Sequence, residues 1–298
     1  MRGRGIKLSK IQKKGRYVSP DKVVSNNGTE SLFEIVEPKK SLDDLILEEN
    51  AREQIESLIT KIKNYDILYN KFGLKEIDPS GGRTAINLYG PPGTGKSVTA
   101  EAIAKELGKT IIRANYAEIE SKFVGETPKN IKVLFSEAAK NDSILIFDEA
   151  DSLLSKRLSS VNQSTDHAVN VTKSVLLLEL DAFSGIVIFT TNFGENYDPA
   201  FVRRIIGHIK LELPNEELRR SLLKQLIPSA LPVRLSESDI DQIITQTEGF
   251  SGGDMLNMVL YASSTAVNRD GEYCEVLNSD FLSVINILHQ AKKEVGNK

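Results

Sequence analysis

Residues 90–97 read GPPGTGKS and lie between an apolar segment, TAINLY at 84–89, and a stretch whose apolar residues have helical spacing. The pattern G-x-x-x-x-G-K-[ST] in a strand–loop–helix setting predicts a phosphate-binding loop. Glycines let backbone N–H groups point inward, and the start of the following helix adds partial positive charge. A strand that opens directly into a helix is also the repeating unit of a parallel sheet.

The strand-like segments alternate with helical ones through the first two thirds of the chain. Further strands are predicted at 110–115, 143–148, 186–191 and 209–213, and helices near 129–140, 168–180 and 199–204. Together with 84–89, this alternation predicts an α/β fold, with a five-stranded parallel sheet flanked by helices on both faces.

From Pro214 onward the strand pattern stops. Four helical stretches follow, at 215–227, 236–247, 253–268 and 279–294. We therefore expect a large α/β domain at 41–214 and a small all-helical lid domain at 215–298. Residues 1–40 are expected to form a basic, flexible N-terminal extension.

Composition excludes several classes of protein. No apolar run approaches the roughly 18–20 residues of a membrane span, so no membrane partner is expected. Cys274 is the single cysteine, which rules out an internal disulfide and fits a reducing cytoplasm. With only three histidines, a structural zinc site is not expected.

Residues 1–40 contain ten Lys or Arg and four Asp or Glu, whereas the whole chain has a net charge of −3. Such a basic stretch is typical of a solvated tail, and it would also suit a contact arm for an acidic partner or a nucleic acid.

The segment ILIFDEA at 144–150 is predicted to end a buried strand with two carboxylates at the ligand-binding edge of the sheet. Asp148 and Ser97 are expected to hold Mg²⁺, and Lys96 to reach the β- and γ-phosphates of ATP. Glu149 is the predicted general base for the attacking water. Asn192 closes the next strand, IVIFTTN, where a neutral amide can orient that water.

Five motifs in order, GPPGTGKS, ILIFDEADSLL, IFTTN, DPAFVRR and GFSGGD, resemble the classical clade of AAA+ ATPases, from about Ser41 to Phe281. The resemblance implies a ring, usually a hexamer, with ATP at the subunit boundaries. It also implies that Arg203 and Arg204 are arginine fingers that reach the neighbouring subunit's γ-phosphate. His208 stands about where the family often has a further basic residue.

The same resemblance assigns Gly252 and Asp254 to the second sensor region of the lid, and it assigns SLDDLI to the segment that cups adenine. Asp254 would equally suit an ordinary helix cap. The residues predicted to bind the nucleotide are therefore Gly90, Pro91, Pro92, Gly93, Thr94, Gly95, Lys96, Ser97, Val98, Asp148 and Gly252.

The stretch SKFVGET at 121–127 places an apolar pair before a predicted helix start, with Thr127 as the N-cap. By resemblance, Lys122, Phe123 and Val124 form the first pore loop, where an aromatic ring grips an unfolded protein without reading its sequence. Packing of the pair into the core of its own domain is the alternative.

These residues favour an ATP-driven protein remodeller over a nucleic-acid motor or loader, because a nucleic-acid channel should present more Lys and Arg. A nucleotide switch without hydrolysis is disfavoured by Glu149. The chain is also similar in size to small stand-alone bacterial remodellers. Their clients suggest three hypotheses: a HORMA-domain protein of an antiviral defence system, which we favour, rubisco, or a contractile-injection assembly.

Overall fold

The computed structural model describes residues 33–78, 84–115, 126–156, 164–192, 194 and 196–295. Its main sheet has six strands in the order β1-β3-β4-β5-β2-β6. These strands are β1 (Glu34–Val36), β2 (Thr84–Tyr89), β3 (Ile111–Asn115), β4 (Ile144–Asp148), β5 (Ile186–Thr191) and β6 (Gly207–Lys210). Strands β2 to β6 run parallel, which confirms the predicted five-stranded parallel sheet.

Strand β1 is an addition that the sequence did not predict. It pairs antiparallel with β3 at one edge of the sheet, although its residues fall within the segment assigned to the N-terminal extension. Three residues are too few to show the alternation that marks a strand.

Strand β6 begins at Gly207 and ends at Lys210, whereas the sequence predicted 209–213. A glycine usually weakens a strand, but a Cβ at position 207 would lie 2.5 Å from Leu58 Cδ1. The first long helix therefore packs closely against the start of this strand, and a larger residue there would displace the Leu58 side chain.

Helices cover both faces of the sheet and continue beyond it. They are α1 (Glu49–Lys63), α2 (Lys96–Glu106), α3 (Thr127–Lys140), α4 (Asp151–Leu154), α5 (Ser164–Ala182), α6 (Pro199–Val202), α7 (Glu216–Leu226), α8 (Glu237–Gln246), α9 (Gly252–Asp270) and α10 (Asn278–Val295). None of these described helices is both long and apolar enough to cross a bilayer.

Alternate side chains of β4 enter two different cores. Ile144 and Ile146 pack with α1 and α2 on one face, while Leu145 and Phe147 pack with α3 and α5 on the other. All four side chains are fully buried. A strand buried on both faces reads as a continuous apolar run, which is why this segment is so apolar.

Helices α7 to α10 enclose a third core, built around Phe250, Met258 and Phe281. The prediction that this region is all-helical was wrong in one detail. Two short strands, β7 (Val233–Arg234) and β8 (Val276–Leu277), pair in parallel beside the helices. Each has two residues, so neither could show a strand pattern in the sequence.

The C-terminal helix α10 holds the turn that precedes α9. Lys292 Nζ donates to the Asp254 carboxylate (2.6 Å) and to the Gly249 carbonyl (3.2 Å), and it lies 5.0 Å from the centre of the Phe250 ring. Asp254 also accepts from Ser251 in a capping box. Burial opposes ionisation, but these hydrogen bonds hold the pKa of Asp254 below its ordinary value of 3.8.

The variant Lys292→Met should lower the free energy of unfolding at pH 7 by about 1 kcal/mol, because the ion pair is partly exposed. The folded-state pKa of Asp254 is depressed, so the carboxylate stabilises the fold at neutral pH and loses this effect as the pH falls through that pKa. The difference between wild type and variant should therefore shrink below about pH 4. Urea unfolding at pH 7 and pH 3 measures it, and an equal difference at both pH values would contradict the assignment.

Candidate nucleotide-binding site

A cavity of about 860 Å³ lies between the carboxyl edge of the sheet, residues 44–51 and the helices α7 and α9. Gln225 Nε2 on α7 donates to the Asp44 carbonyl (2.7 Å), which ties the lid to the N-terminal side of the cavity. The lining includes Asp44, Leu47, residues 92–98, Glu149, residues 190–192, Leu222, Gly252 and Gly253. Apolar side chains line the end beside α7, whereas polar groups cluster around the sheet edge.

The loop at 90–97 joins β2 to α2 and depends on three glycines with positive φ: Gly90 (141°), Gly93 (77°) and Gly95 (91°). A Cβ at Gly90 would overlap the backbone carbonyl of Leu211, so the loop lies directly against the segment after β6. Only glycine adopts this backbone at such close approach without strain.

Lys96 is the first residue of α2 and is buried. Its Nζ donates to the carbonyls of Gly90 (2.9 Å) and Pro91 (2.8 Å), while Thr94 Oγ1 donates to the same Pro91 carbonyl (2.9 Å). Burial lowers the pKa of Lys96, and the nearby Asp151 partly opposes that effect. The ammonium therefore lies inside the curve of the loop, at the helix N-terminus where anions bind.

The lid contacts this loop directly. Gly253 N donates to the Gly93 carbonyl (3.0 Å), and a Cβ at Gly93 would lie 2.5 Å from Ser251 Oγ. Gly252 also approaches closely, since a Cβ there would lie 3.4 Å from the Gly93 carbonyl oxygen. The sequence predicted that Gly252 contacts the nucleotide site but gave no role to Gly253. The visible sign was that two consecutive glycines start this helix.

The carboxylate of Asp148 gathers side chains from three other elements. Ser97 Oγ on α2 and Thr190 Oγ1 on β5 donate to Asp148 Oδ1, at 3.0 and 2.8 Å. Arg113 on β3 lies 3.2 Å from Asp148 Oδ2. Sequence reasoning missed Thr190 and Arg113, although a charged residue in the middle of the apolar strand IIRAN was a visible signal.

Ser97 and Asp148 supply the hydroxyl and carboxylate oxygens that suit Mg²⁺. Among the described residues no three His, Cys, Asp or Glu side chains group around a metal position. A site with few protein ligands fits an ion that takes most of its ligands from water and phosphate. The two residues therefore fit the magnesium ligand set that the sequence suggested.

Glu149 and Asn192 both face the cavity, one after β4 and the other after β5. Glu149 has a left-handed backbone (φ 54°), which is uncommon for a residue other than glycine. Its N–H donates to Thr190 Oγ1 (3.3 Å). Asn192 N donates to Asp151 Oδ1 (3.0 Å), so its backbone is fixed while its half-buried side chain borders the cavity.

Arg203 and Arg204 lie after α6 and do not line the cavity of their own chain. Arg203 is exposed, whereas Arg204 donates to both carboxylate oxygens of Asp181, at 2.9 and 2.7 Å, and to the Ala200 carbonyl. The hydrogen bonds to the Asp181 carboxylate raise the pKa of Arg204. The two arginines were predicted to share one role, but the structure gives them different surroundings.

His208 lies within β6 and stacks on Tyr197, with ring centres 6.5 Å apart. Its Nε2 is buried and has no hydrogen-bond partner among the described residues. The ring is therefore partly buried against Tyr197.

The predicted pore-loop residues Lys122, Phe123 and Val124 lie outside the described residues. Helix α3 begins at Thr127 just after them, with Glu126 as its N-cap, so the predicted cap at Thr127 was one residue late. Pro128 occupies the first turn, where its missing N–H leaves no helical hydrogen bond unmade.

Residues 86–213 match the model of the family described as ATPase family associated with various cellular activities (AAA). These residues have the AAA domain fold. Two FIGL-1 AAA domain crystal structures are similar in fold. One has a TM-score of 0.69 at 23% identity, covering 86% of this chain and 85% of that one. The ADP complex has the same TM-score at 21% identity, covering 88% and 93%. This similarity confirms the predicted α/β fold.

Relatives with higher identity include proteasomal ATPases. The chain is 33% identical over 254 residues to the 26S proteasome regulatory subunit 10B homolog A of Arabidopsis thaliana, covering 83% of this chain and 61% of that protein. It is 34% identical over 255 residues to the proteasome-activating nucleotidase of Methanothermobacter thermautotrophicus, covering 83% and 59%. The chain thus spans about three fifths of the length of these relatives.

The variant Gly90→Ala should destabilise the fold by roughly 3 kcal/mol, because the added Cβ overlaps the Leu211 carbonyl at a positive φ. Gly108→Ala is the matched control: Gly108 also has a positive φ (65°), but a Cβ there meets no atom within 4 Å. We expect the control to lose only about 1 kcal/mol. Urea unfolding measures both variants, and equal losses would contradict the close approach at Gly90.

Proposed function

We propose that this chain hydrolyses ATP in the cavity between the sheet and the lid. The observation that carries the proposal is the placement of Asp148 and Glu149, at the end of β4, beside the phosphate loop. A loop of this kind alone would fit a nucleotide-binding switch. A carboxylate that borders the same cavity supplies the base that hydrolysis needs.

In this mechanism the phosphates bind along the loop N–H groups and the Lys96 ammonium. Ser97 and Asp148 would hold Mg²⁺, which neutralises charge on the β- and γ-phosphates when bound. Glu149 accepts a proton from water as the water oxygen forms its bond to the γ-phosphorus. The bond from that phosphorus to the β–γ bridging oxygen breaks, and ADP leaves. Asn192 orients the water without adding charge.

Arg203 is proposed to act on the nucleotide of a neighbouring subunit in a ring, which we propose is a hexamer. Its exposed position outside its own cavity supports this role, as does its fixed charge and planar shape. Arg204 is proposed to position the segment after α6 through Asp181, because its guanidinium already binds that carboxylate at both oxygens.

Substitution of the two arginines should therefore have different effects. Arg203→Ala is expected to reduce turnover by roughly 10³-fold or more with ATP binding retained. Arg204→Ala should mainly lose about 1 kcal/mol of stability, since the pair it breaks is partly exposed. The measurements are phosphate release, binding of a fluorescent ATP analogue, and urea unfolding.

Mixed rings test whether Arg203 acts in trans. Arg203→Ala subunits mixed with Glu149→Gln subunits should regain part of the lost turnover, because some boundaries then combine an intact Glu149 with a neighbour's Arg203. Turnover by Arg203→Ala at the wild-type rate, or no recovery in rings shown to be mixed, would contradict the assignment.

We further propose that the ring couples hydrolysis to remodelling of a protein client. The similarity to a proteasome-activating nucleotidase supports this over a nucleic-acid motor. Lys122, Phe123 and Val124 are proposed to grip the client in the central channel. The lone buried Cys274 fits a cytoplasmic location. A nucleic-acid motor is the second candidate, motivated by the basic segment at 1–40.

A HORMA-domain protein of an antiviral system is our specific proposal for the client, based on the size and architecture of the chain. Rubisco and contractile-injection assemblies are the alternatives from the same reasoning. The proteasomal names of the relatives do not favour any of the three. Binding of purified candidates to the trapped ring described below distinguishes them.

Glu149→Gln should bind ATP at near wild-type affinity and release phosphate roughly 10² to 10⁴ times more slowly, because the base is lost. Such a ring should stay bound to its client. The double variant Glu149→Gln, Phe123→Ala should assemble equally well but release the client. Unchanged turnover in Glu149→Gln would exclude it as the base. A second experiment measures turnover with single-stranded DNA in the full chain and in a chain that lacks residues 2–16. If the DNA increases turnover in both, the nucleic-acid motor is favoured.

A further inference from the structure

Thr190 contacts both carboxylate-bearing residues at the end of β4. Its side chain is buried, with 3% exposed, and its hydroxyl donates to Asp148 Oδ1 (2.8 Å). The same oxygen accepts from Glu149 N (3.3 Å). The Thr190 carbonyl accepts from Ala150 N (2.9 Å). One residue of β5 therefore binds three consecutive residues of the neighbouring chain segment.

These contacts begin where the regular sheet pairing stops. The parallel register of β4 with β5 runs through Phe147 and Phe189, and the next residue of β5 is Thr190. Beyond that point the chain turns through the left-handed backbone of Glu149 (φ 54°), which a side chain disfavours. The Thr190 hydroxyl and carbonyl satisfy the two N–H groups of this turn, at Glu149 and Ala150.

The Thr190 hydroxyl acts both as a hydrogen-bond donor and as an acceptor. The hydroxyl hydrogen is donated to Asp148 in a hydrogen bond, and an oxygen lone pair accepts from Glu149 N–H. The two hydrogen bonds are therefore directional and can form at the same time. Asp148 Oδ1 also accepts from Ser97, and Asp148 Oδ2 faces Arg113. Removal of the Thr190 hydroxyl would take away one of the three contacts that hold the Asp148 carboxylate, and would leave the Glu149 N–H without this partner.

We propose that Thr190 is a positioning residue that sets the Asp148 carboxylate for Mg²⁺ and the Glu149 turn for catalysis. The inference rests on the proposed hydrolysis for its kinetic part, whereas its effect on Asp148 is measured by binding. Valine has the shape of threonine without the hydroxyl, and serine keeps the hydroxyl. Thr190→Val and Thr190→Ser therefore separate hydrogen bonding from packing.

In the full chain, Thr190→Val should lower kcat roughly 10- to 100-fold, as loss of a residue that orients a metal ligand does, with a much smaller change in KM for ATP. Thr190→Ser should stay within about threefold of wild type. Binding of a fluorescent, non-hydrolysable ATP analogue across a Mg²⁺ series gives a second readout. Its midpoint Mg²⁺ concentration should rise roughly 10-fold in Thr190→Val and hardly change in Thr190→Ser.

Thr247→Val is the matched control. Thr247 is fully buried in the lid, and its hydroxyl donates to the Ile244 carbonyl (3.0 Å), so the variant removes the same group away from the cavity. It should unfold at lower urea concentration without moving the Mg²⁺ midpoint. In a Glu149→Gln background, Thr190→Val should reduce turnover far less than it does alone, because both changes act on one base.

Three outcomes decide the inference. A wild-type midpoint and kcat in folded Thr190→Val overturn it. An equal shift in Thr247→Val also overturns it, because the effect would then follow from lost stability. A wild-type chain without turnover contradicts the proposed hydrolysis. In that case the Mg²⁺ midpoints of the valine and serine variants still show whether Thr190 positions Asp148.

Discussion

The carboxylate of Asp148 is the point at which the phosphate loop and the strands β3, β4 and β5 meet. One of its oxygens accepts from Ser97 and Thr190, and the other faces Arg113, so α2, β3 and β5 all converge on the end of β4. This convergence requires β3, β4 and β5 to be adjacent and parallel, with their carboxyl ends at one edge. The strand order therefore determines the site, and β4 packs against helices on both of its apolar faces.

The lid completes the cavity through one backbone contact and one side-chain contact. Gly253 donates to Gly93 in the phosphate loop, while Gln225 reaches the Asp44 carbonyl on the other side. The turn before α9 is in turn held by Lys292 from the C-terminal helix. The phosphate loop, the turn before α9 and the C-terminal helix are thus joined by adjoining contacts.

Local patterns predicted the parts that short segments determine. Periodicity and spacing predicted the strand TAINLY, the loop GPPGTGKS and the run ILIFDEA. All three lie at the predicted positions. Contacts between distant residues could not be read in the same way. Arg204 meets Asp181 across 23 positions, and Thr190 meets Asp148 across 42, so neither pairing leaves a local pattern. Strands of two or three residues, such as β1, β7 and β8, were missed because they are too short for alternation to be seen.

We propose that ATP is hydrolysed in this cavity and that a neighbouring subunit of the ring completes the site. Phosphate release by the wild-type chain, measured across a protein dilution series in which the molecular mass is determined at each concentration, tests both parts. The rate per chain should follow the fraction of chains in the assembled ring and fall toward zero in the monomer. Monomers that hydrolyse ATP as fast as rings would contradict completion of the site by a neighbour. Rings that release no phosphate would contradict hydrolysis in this cavity.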